Sequence, residues 1–280
     1  MSTTHILILG AIAGGTIFLG LPVGRIQGLT APARAGLSAL ATGILIFLLW
    51  DVLSGAVEPI ETSLDDRLWG QFAWRASIGV GGFAVGLMAL VYYEQWLRMR
   101  RDRRMTNLVG PGAAAVDEFV HRTWLDKLTP GKQLSLLIAV GIGVHNFGEG
   151  LAIGQSAAVG ATSLAVTLIV GFALHNATEG FGIVGPMSGE GARPTWGFLA
   201  LLGVIGGLPT FLGTVVGQAW TSEAVSIAFF AIAAGSILFV VQELFAVNRK
   251  YAKPALVMWL VLAGIVLGFA TDFVVSASGV

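Results

Sequence analysis

A six-residue phrase recurs with a spacing of thirty positions, its His, Asn, Glu and Gly kept: His145-Asn146-Phe147-Gly148-Glu149-Gly150 and His175-Asn176-Ala177-Thr178-Glu179-Gly180. Imidazole nitrogens and carboxylate oxygens together are the donor set of Zn²⁺, Fe²⁺, Mn²⁺ and similar ions, and two carboxylates neutralise one dication. On a helix, positions i and i+4 share a face and i+1 joins i+4 at a spacing of three. His145, Asn146 and Glu149 therefore converge, as do His175, Asn176 and Glu179, with the asparagine carbonyls as weaker ligands. A lone histidine in an apolar run reads as a buried group satisfied by a neighbouring helix. Here two of the chain's four histidines fall at the same place in the same phrase, and the duplication favours a metal site. With no cysteine in the sequence, thiolate ligation and disulfides are excluded.

The elements that must position these residues are membrane spans. The 280 residues are 55% hydrophobic and 11% charged, with a mean hydropathy of +0.81, far from the roughly 25% charge of soluble domains. Apolar runs of about 20 residues, enough to cross a bilayer as helices, recur along nearly the whole length and leave too little polar chain for a soluble domain. We expect an all-α integral membrane protein in one transmembrane domain, 1–280, with eight spans near 5–24, 33–56, 72–97, 134–157, 162–187, 195–219, 224–247 and 254–275. Met1 to Thr4 carries no basic stretch, so the first run reads as a retained helix rather than a signal peptide.

Helices four and five, turning near Val159, put His145 and His175 at roughly 21 and 24 Å of rise from the turn, similar depths near the bilayer centre. An acid there costs about 2.5–3.5 kcal/mol even on lenient insertion scales, and a dication held between two such acids removes the problem.

With the N-terminus outside, 14 of the 16 basic residues fall on inner connections, leaving Arg67 and Arg75 outside. This split predicts that both termini are extracytoplasmic. The outer connection after the second span carries Glu58, Glu61, Asp65 and Asp66, a negative field for an approaching cation. The inner connection, about 98–133, opens with an arginine cluster suited to anionic headgroups and has a Gly-Pro-Gly linker at Gly110–Gly112. Val116, Phe119, Val120, Trp124, Leu125 and Leu128 within it predict a short interfacial helix. Asp51, inside the second span, is expected along a metal path or in a structural hydrogen bond. Glu94 and Asp272 read as interfacial and His5 as structural. No Walker-type phosphate loop occurs, since Gly131-Lys132 lacks its surroundings.

The two phrases, with the eight-span layout derived from charge placement, resemble those of the ZIP (zinc/iron permease) family of divalent-metal transporters. The resemblance implies an inverted repeat of spans 1–3 and 6–8 around spans 4 and 5, and an elevator-like movement carrying metal inward. It makes His145, Glu149, His175 and Glu179 the first-site ligands, draws Asn146 and Asn176 toward a second site, and places a helper acid at the inner end of the seventh span, where Gln242 and Glu243 stand. The sequence departs from the family at three places. Gly148 and Thr178 replace the proline before each motif glutamate, so the family's kink is not carried over. Leu208 precedes Pro209 where many members have glutamate, so one well-occupied metal is expected rather than two. His121 stands alone where many members have a histidine-rich loop.

The function expected is import of a divalent transition metal, Zn²⁺ first, with Fe²⁺, Mn²⁺, Co²⁺ or Cd²⁺ as further substrates, across the plasma (inner) membrane. The metal is substrate, no organic cofactor is expected, and the protein is not expected to be an enzyme. Expected partners are the metal ion and membrane lipids, with no nucleic acid; homodimerisation stays open. The rival from another class is a membrane-bound di-iron carboxylate oxidoreductase, which generally builds its centre from Glu-x-x-His, whereas this chain has His-x-x-x-Glu.

Overall fold

The computed structural model describes residues 2–26, 30–107, 124–189, 193–220 and 222–277. Among them stand eight long helices: α1 (Thr3–Gly15), α2 (Ala31–Asp65), α3 (Trp69–Asn107), α4 (Pro130–Ala158), α5 (Thr162–Val184), α6 (Trp196–Ala219), α7 (Glu223–Tyr251) and α8 (Pro254–Ala277). All regular structure in the described residues is helical. Seven segments are long and apolar enough to cross a membrane, namely those built on α1, α2, α3, α4, α6, α7 and α8. The remaining helix, the 23-residue α5, carries the second phrase.

Helix starts follow from local chemistry. Ser2, Thr30, Thr129 and Thr195 each accept the main-chain N–H three residues on, satisfying one of the orphan donors of a first turn. His5 returns the favour at α1, its Nδ1 lying 2.7 Å from Ser2 Oγ, in keeping with its structural reading.

Two expectations are corrected. The first span is not one helix: α1 stops at Gly15, and the chain continues as a short helix over Ile17–Gly20 and a 3₁₀ turn over Leu21–Arg25. Thr16 causes the break locally, its hydroxyl donating to Ala13 O at 2.7 Å in competition with the helix ladder, and Pro22 follows. The acids after the second span do not form a loop either. Helix α2 runs on through Glu58 and Glu61 to Asp65, and the turn to α3 is only Asp66 to Leu68, with Arg67 at φ 56°. The extension is held by Arg75 of α3, which donates to Pro59 O (3.0 Å) and to Ser63 Oγ (2.6 Å) and pairs with Glu223 of α7. The Gly110–Gly112 linker, His121 and the Val116, Phe119 and Val120 part of the predicted interfacial helix lie outside the described residues; Trp124–Lys127 forms a 3₁₀ turn.

Helix α4 is the central element, packed on α5, α6 and α7. It can be central because glycines let neighbours come in: a Cβ on Gly143 would lie 2.3 Å from Ile205 O of α6. Small residues permit such approach where lipid gives no hydrophobic drive. Helix α5 packs in the same way on the first segment, where a Cβ on Gly20 would lie 2.1 Å from Ala177 O. These two contacts fix the depth and rotation of the helices that carry the repeated phrases.

Candidate metal centre

Helices α4 and α5 run unbroken through Gly148 and Thr178, so each phrase keeps its helical register and presents its His, Asn and Glu to one side. Glu149 Oε1 lies 2.6 Å from His175 Nε2 and 2.9 Å from His145 Nε2, so one carboxylate oxygen stands between two imidazoles from different helices. His145, Glu149 and His175 offer ligand atoms all within 4.8 Å of one another. Glu179 closes the group from the other side, with Oε1 3.7 Å from His145 Nε2 and Oε2 accepting from Asn146 Nδ2 at 3.3 Å. Five of the six residues picked out by the repeat, His145, Asn146, Glu149, His175 and Glu179, are thus brought together, while Asn176, beside His175 on α5, meets Ala13 O of α1.

The centre is buried and under-satisfied. His145, Asn146, Glu149, Asn176 and Glu179 are all buried, none more than 2% exposed, and the His175 side chain is 10% exposed. Yet His145 Nδ1 and Nε2, Glu149 Oε2, Glu179 Oε1, Asn146 Oδ1 and Asn176 Oδ1 have no hydrogen-bond partner. The 2.9 Å approach of His145 Nε2 to Glu149 Oε1 is therefore close but off hydrogen-bonding alignment. Each buried orphan costs about 1–3 kcal/mol, and folded proteins rarely tolerate several in one place. Their types are those that ligate a dication, and a bound dication would satisfy the oxygens and the imidazole nitrogens facing it.

The asparagines show how the group is oriented. Asn146 Nδ2 donates to Gly206 O of α6 at 2.8 Å, and Asn176 Nδ2 donates to Ala13 O of α1 at 3.1 Å. A carbonyl can only accept, so each amide nitrogen is turned to the main chain and each Oδ1 is left for another purpose. The two acceptor carbonyls belong to interrupted stretches: Ala13 precedes the Thr16 break, and Gly206 lies beside Ile205, whose carbonyl loses its donor four residues on to Pro209. Nothing in the sequence marks a main-chain carbonyl as a partner, so sequence reasoning could not name these two.

The path residues separate. Asp51 lines a cavity of about 630 Å³ that also touches exposed Glu58 and Glu61 at one end and buried Glu149 at the other, with Trp50, Phe172 and Phe230 in its walls. This cavity joins the acidic end of the bundle to the centre. The Asp51, Ser54, Glu58, Glu61 spacing is helical, a signal that would have placed these acids on one face of α2. Phe172 meets the His175 ring edge-on at 5.5 Å, a contact the sequence does not announce. Glu243, buried in α7, lines a second cavity of about 420 Å³ at the Arg-rich end with Glu94 and Arg98. Gln242, its neighbour, is on the exposed side of α7. Leu208 is 47% exposed on α6, whereas Gly206, two residues before it, is buried and meets Asn146.

Comparison with curated proteins yields no match for this chain. The family model described as ZIP zinc transporter matches residues 121–276, more than half of the chain, including both phrases and helices α4 to α7 entirely. Members of that family are transporters of divalent metals rather than enzymes, which leaves the di-iron enzyme reading without support. The chain therefore belongs to the ZIP zinc transporter family, and is an integral membrane transporter of divalent metal.

Proposed function

We propose that this protein imports a divalent transition metal, Zn²⁺ first, with Fe²⁺, Mn²⁺, Co²⁺ or Cd²⁺ as further substrates, across the plasma membrane into the cytoplasm. The observation that carries the proposal is the set of orphaned nitrogen and oxygen atoms on His145, Glu149, Glu179 and Asn146, gathered with His175 in one buried group. His145, Glu149 and His175 hold the ion, Glu179 adds the second negative charge, and the two asparagine oxygens complete the shell. Substrate reaches them past Glu58, Glu61 and Asp51 and leaves past Glu243. One ion per chain is expected, because Leu208 stands where many family members have glutamate.

All eight long helices are spans in this reading, in one domain, with both termini extracytoplasmic as the placement of basic residues predicts. The packing pattern supports an inverted repeat of spans 1–3 and 6–8. Helix α4 packs on α6 as α5 packs on the α1 segment, and α3 packs on α7 as α8 packs on α2. The repeat-related contacts use the same device: a Cβ on Gly86 would lie 2.0 Å from Ile232 O, and one on Gly264 would lie 2.1 Å from Leu40 O. Grouping α1, α4, α5 and α6 against α2, α3, α7 and α8 supports an elevator-like movement of the first group.

The test is Zn²⁺ uptake by proteoliposomes. The paired substitutions His145→Ala and Glu149→Ala should reduce uptake to the level of empty vesicles. Wild-type uptake by that variant would overturn the assignment.

A further inference from the structure

A second feature at the Arg-rich end has the form of a lipid site. Helix α3 packs mainly on α7 and touches α4 little, one approach being at Leu90, whose Cδ1 would lie 3.3 Å from a Cβ on Gly141. Below that contact the two helices part and leave a slot of about 290 Å³, walled by Ala89 and Tyr93 on one side and Leu136 and Val140 on the other, with Gln133 as its polar lining residue. The slot shares Leu97, Gln133 and Leu137 with the 420 Å³ chamber that holds Glu94, Arg98 and Glu243. An apolar slot thus opens directly into a charged chamber.

The dimensions and level match one lipid leaflet. From Arg98 to Ala89 is nine residues of helix, about 14 Å of rise, close to half of a hydrocarbon core about 30 Å thick. Tyr93 and Trp96 stack at 5.6 Å between ring centroids, and the Arg100 guanidinium sits 3.9 Å over Trp96, the aromatic and cationic pairing found at headgroup depth. The chamber's charges say which headgroup. Arg98 is already drawn to Glu94, its Nε 2.8 Å from Oε1. Glu243, 7% exposed, lines the same chamber, so that two carboxylates, Glu94 and Glu243, share the single guanidinium of Arg98 there. Two carboxylates against one guanidinium leave room for a further cation with N–H donors, and an anionic headgroup would add to the excess negative charge.

We propose that the α3–α4 slot binds a phosphatidylethanolamine, with an acyl chain between Ala89, Tyr93, Leu136 and Val140 and the primary ammonium on Glu243. The site is separate from the metal centre and does not depend on it. It rests on the transport reading only in its consequence, since an ammonium on Glu243 neutralises the acid past which the ion would leave.

The test is native mass spectrometry of the full-length protein in detergent, exchanged with phosphatidylethanolamine, phosphatidylcholine or phosphatidylglycerol of matched chains. Phosphatidylcholine carries the same charges without N–H donors. One ethanolamine lipid per chain should be retained in preference to the other two. In Glu243→Gln that preference should fall about fivefold, the order of losing one headgroup-level charge contact. Val140→Trp and Ala89→Trp, both at exposed positions on opposite walls, should lower retention of all three lipids. Equal retention of ethanolamine and choline lipids by the wild type, or undiminished retention by both tryptophan variants, overturns the proposal. Neither outcome bears on Zn²⁺ uptake by the His145 and Glu149 variant, so the two readings fail separately.

Discussion

Asn146 and Asn176 make the same contact from opposite sides of the centre: each donates its amide to a main-chain carbonyl of a neighbouring helix, Gly206 O at 2.8 Å and Ala13 O at 3.1 Å. The donors hold α4 to α6 and α5 to α1, while the paired oxygens, Asn146 Oδ1 and Asn176 Oδ1, remain buried and unpartnered. Each asparagine therefore does two jobs with its two ends. One end sets the rotation of the helix, and so the aim of the histidine beside it; the other would serve the proposed ion as a neutral oxygen donor.

Replacing an asparagine tests both jobs at once. Asn146→Asp loses the donor to Gly206 O and to Glu179, and sets a new carboxylate against both. The metal-free variant should melt at a lower temperature than the wild type, by an amount matching a buried unpaired group of about 1–3 kcal/mol. Added Zn²⁺ should then raise its melting temperature more than it raises that of the wild type, since the extra charge favours the dication. Asn146→Ala should lower Zn²⁺ affinity by about 10–100-fold, the range for outer partners that orient a ligand. Equal Zn²⁺-induced shifts in the wild type and in Asn146→Asp would place Asn146 away from the ion.

Glu149 Oε1 stands within 2.9 Å of both imidazoles, so Glu149 and His175 should act as a unit. Glu149→Gln and His175→Ala should each weaken Zn²⁺ binding by more than the about 100-fold expected of an outer partner. The double variant should lose little more, because residues working together are far from additive. Isothermal titration of the four proteins closes the cycle. Strict additivity would mean that the two residues serve different ions.

Close backbone approach makes a separate prediction about stability. A Cβ on Gly20 would lie 2.1 Å from Ala177 O and 2.9 Å from Gly180 Cα, whereas Gly15 and Gly81 have open space at that point. Gly20→Ala must push α5 away from the first segment, an overpacking strain of about 1–3 kcal/mol. It should lower the melting temperature and also weaken Zn²⁺ binding, because His175 and Asn176 ride on α5. Gly81→Ala should be neutral or slightly stabilising, by up to about 1 kcal/mol from helix propensity. Matching melting curves for the two variants would refute the tight α1–α5 contact.

What could be read in the sequence was whatever periodicity and polarity encode. The repeated phrase announced itself because costly polar residues lay at the same register in two apolar runs, and the structure brings His145, Asn146, Glu149, His175 and Glu179 together. The helical reading of the spans rested on apolar length and needed no side-chain detail. The break at Thr16 was hidden because Ile17 and Leu19 continue the apolar pattern, and a threonine bonding back to Ala13 O leaves hydropathy unchanged. The extension of α2 was hidden for the opposite reason: Glu58, Glu61 and Asp65 look like a loop by polarity, although their spacing is helical. The carbonyls of Ala13 and Gly206 could not be read at all, since every residue has one and only packing decides which is met.

That spacing leads to the last prediction. Asp51, Glu58 and Glu61 line one cavity that ends at Glu149, so on the proposed path their charges would act on the ion before it reaches the histidines. Neutralising them removes attraction during approach and leaves the ligands in place. Glu58→Gln combined with Glu61→Gln should therefore raise the KM for Zn²⁺ uptake at low ionic strength with kcat nearly unchanged, and should leave the number of ions bound per chain as it is. The difference from wild type should shrink as salt rises past about 0.1 M, where the screening length falls to about 10 Å. Asp51, half-buried and nearer the centre, is shielded from salt, so Asp51→Asn should raise KM by an amount that salt changes less. This ordering follows from depth alone: exposed acids at the mouth are screened, and the acid one step inside is not. If all three substitutions leave KM unchanged at low salt, the ion reaches Glu149 by another route and the cavity is not its path.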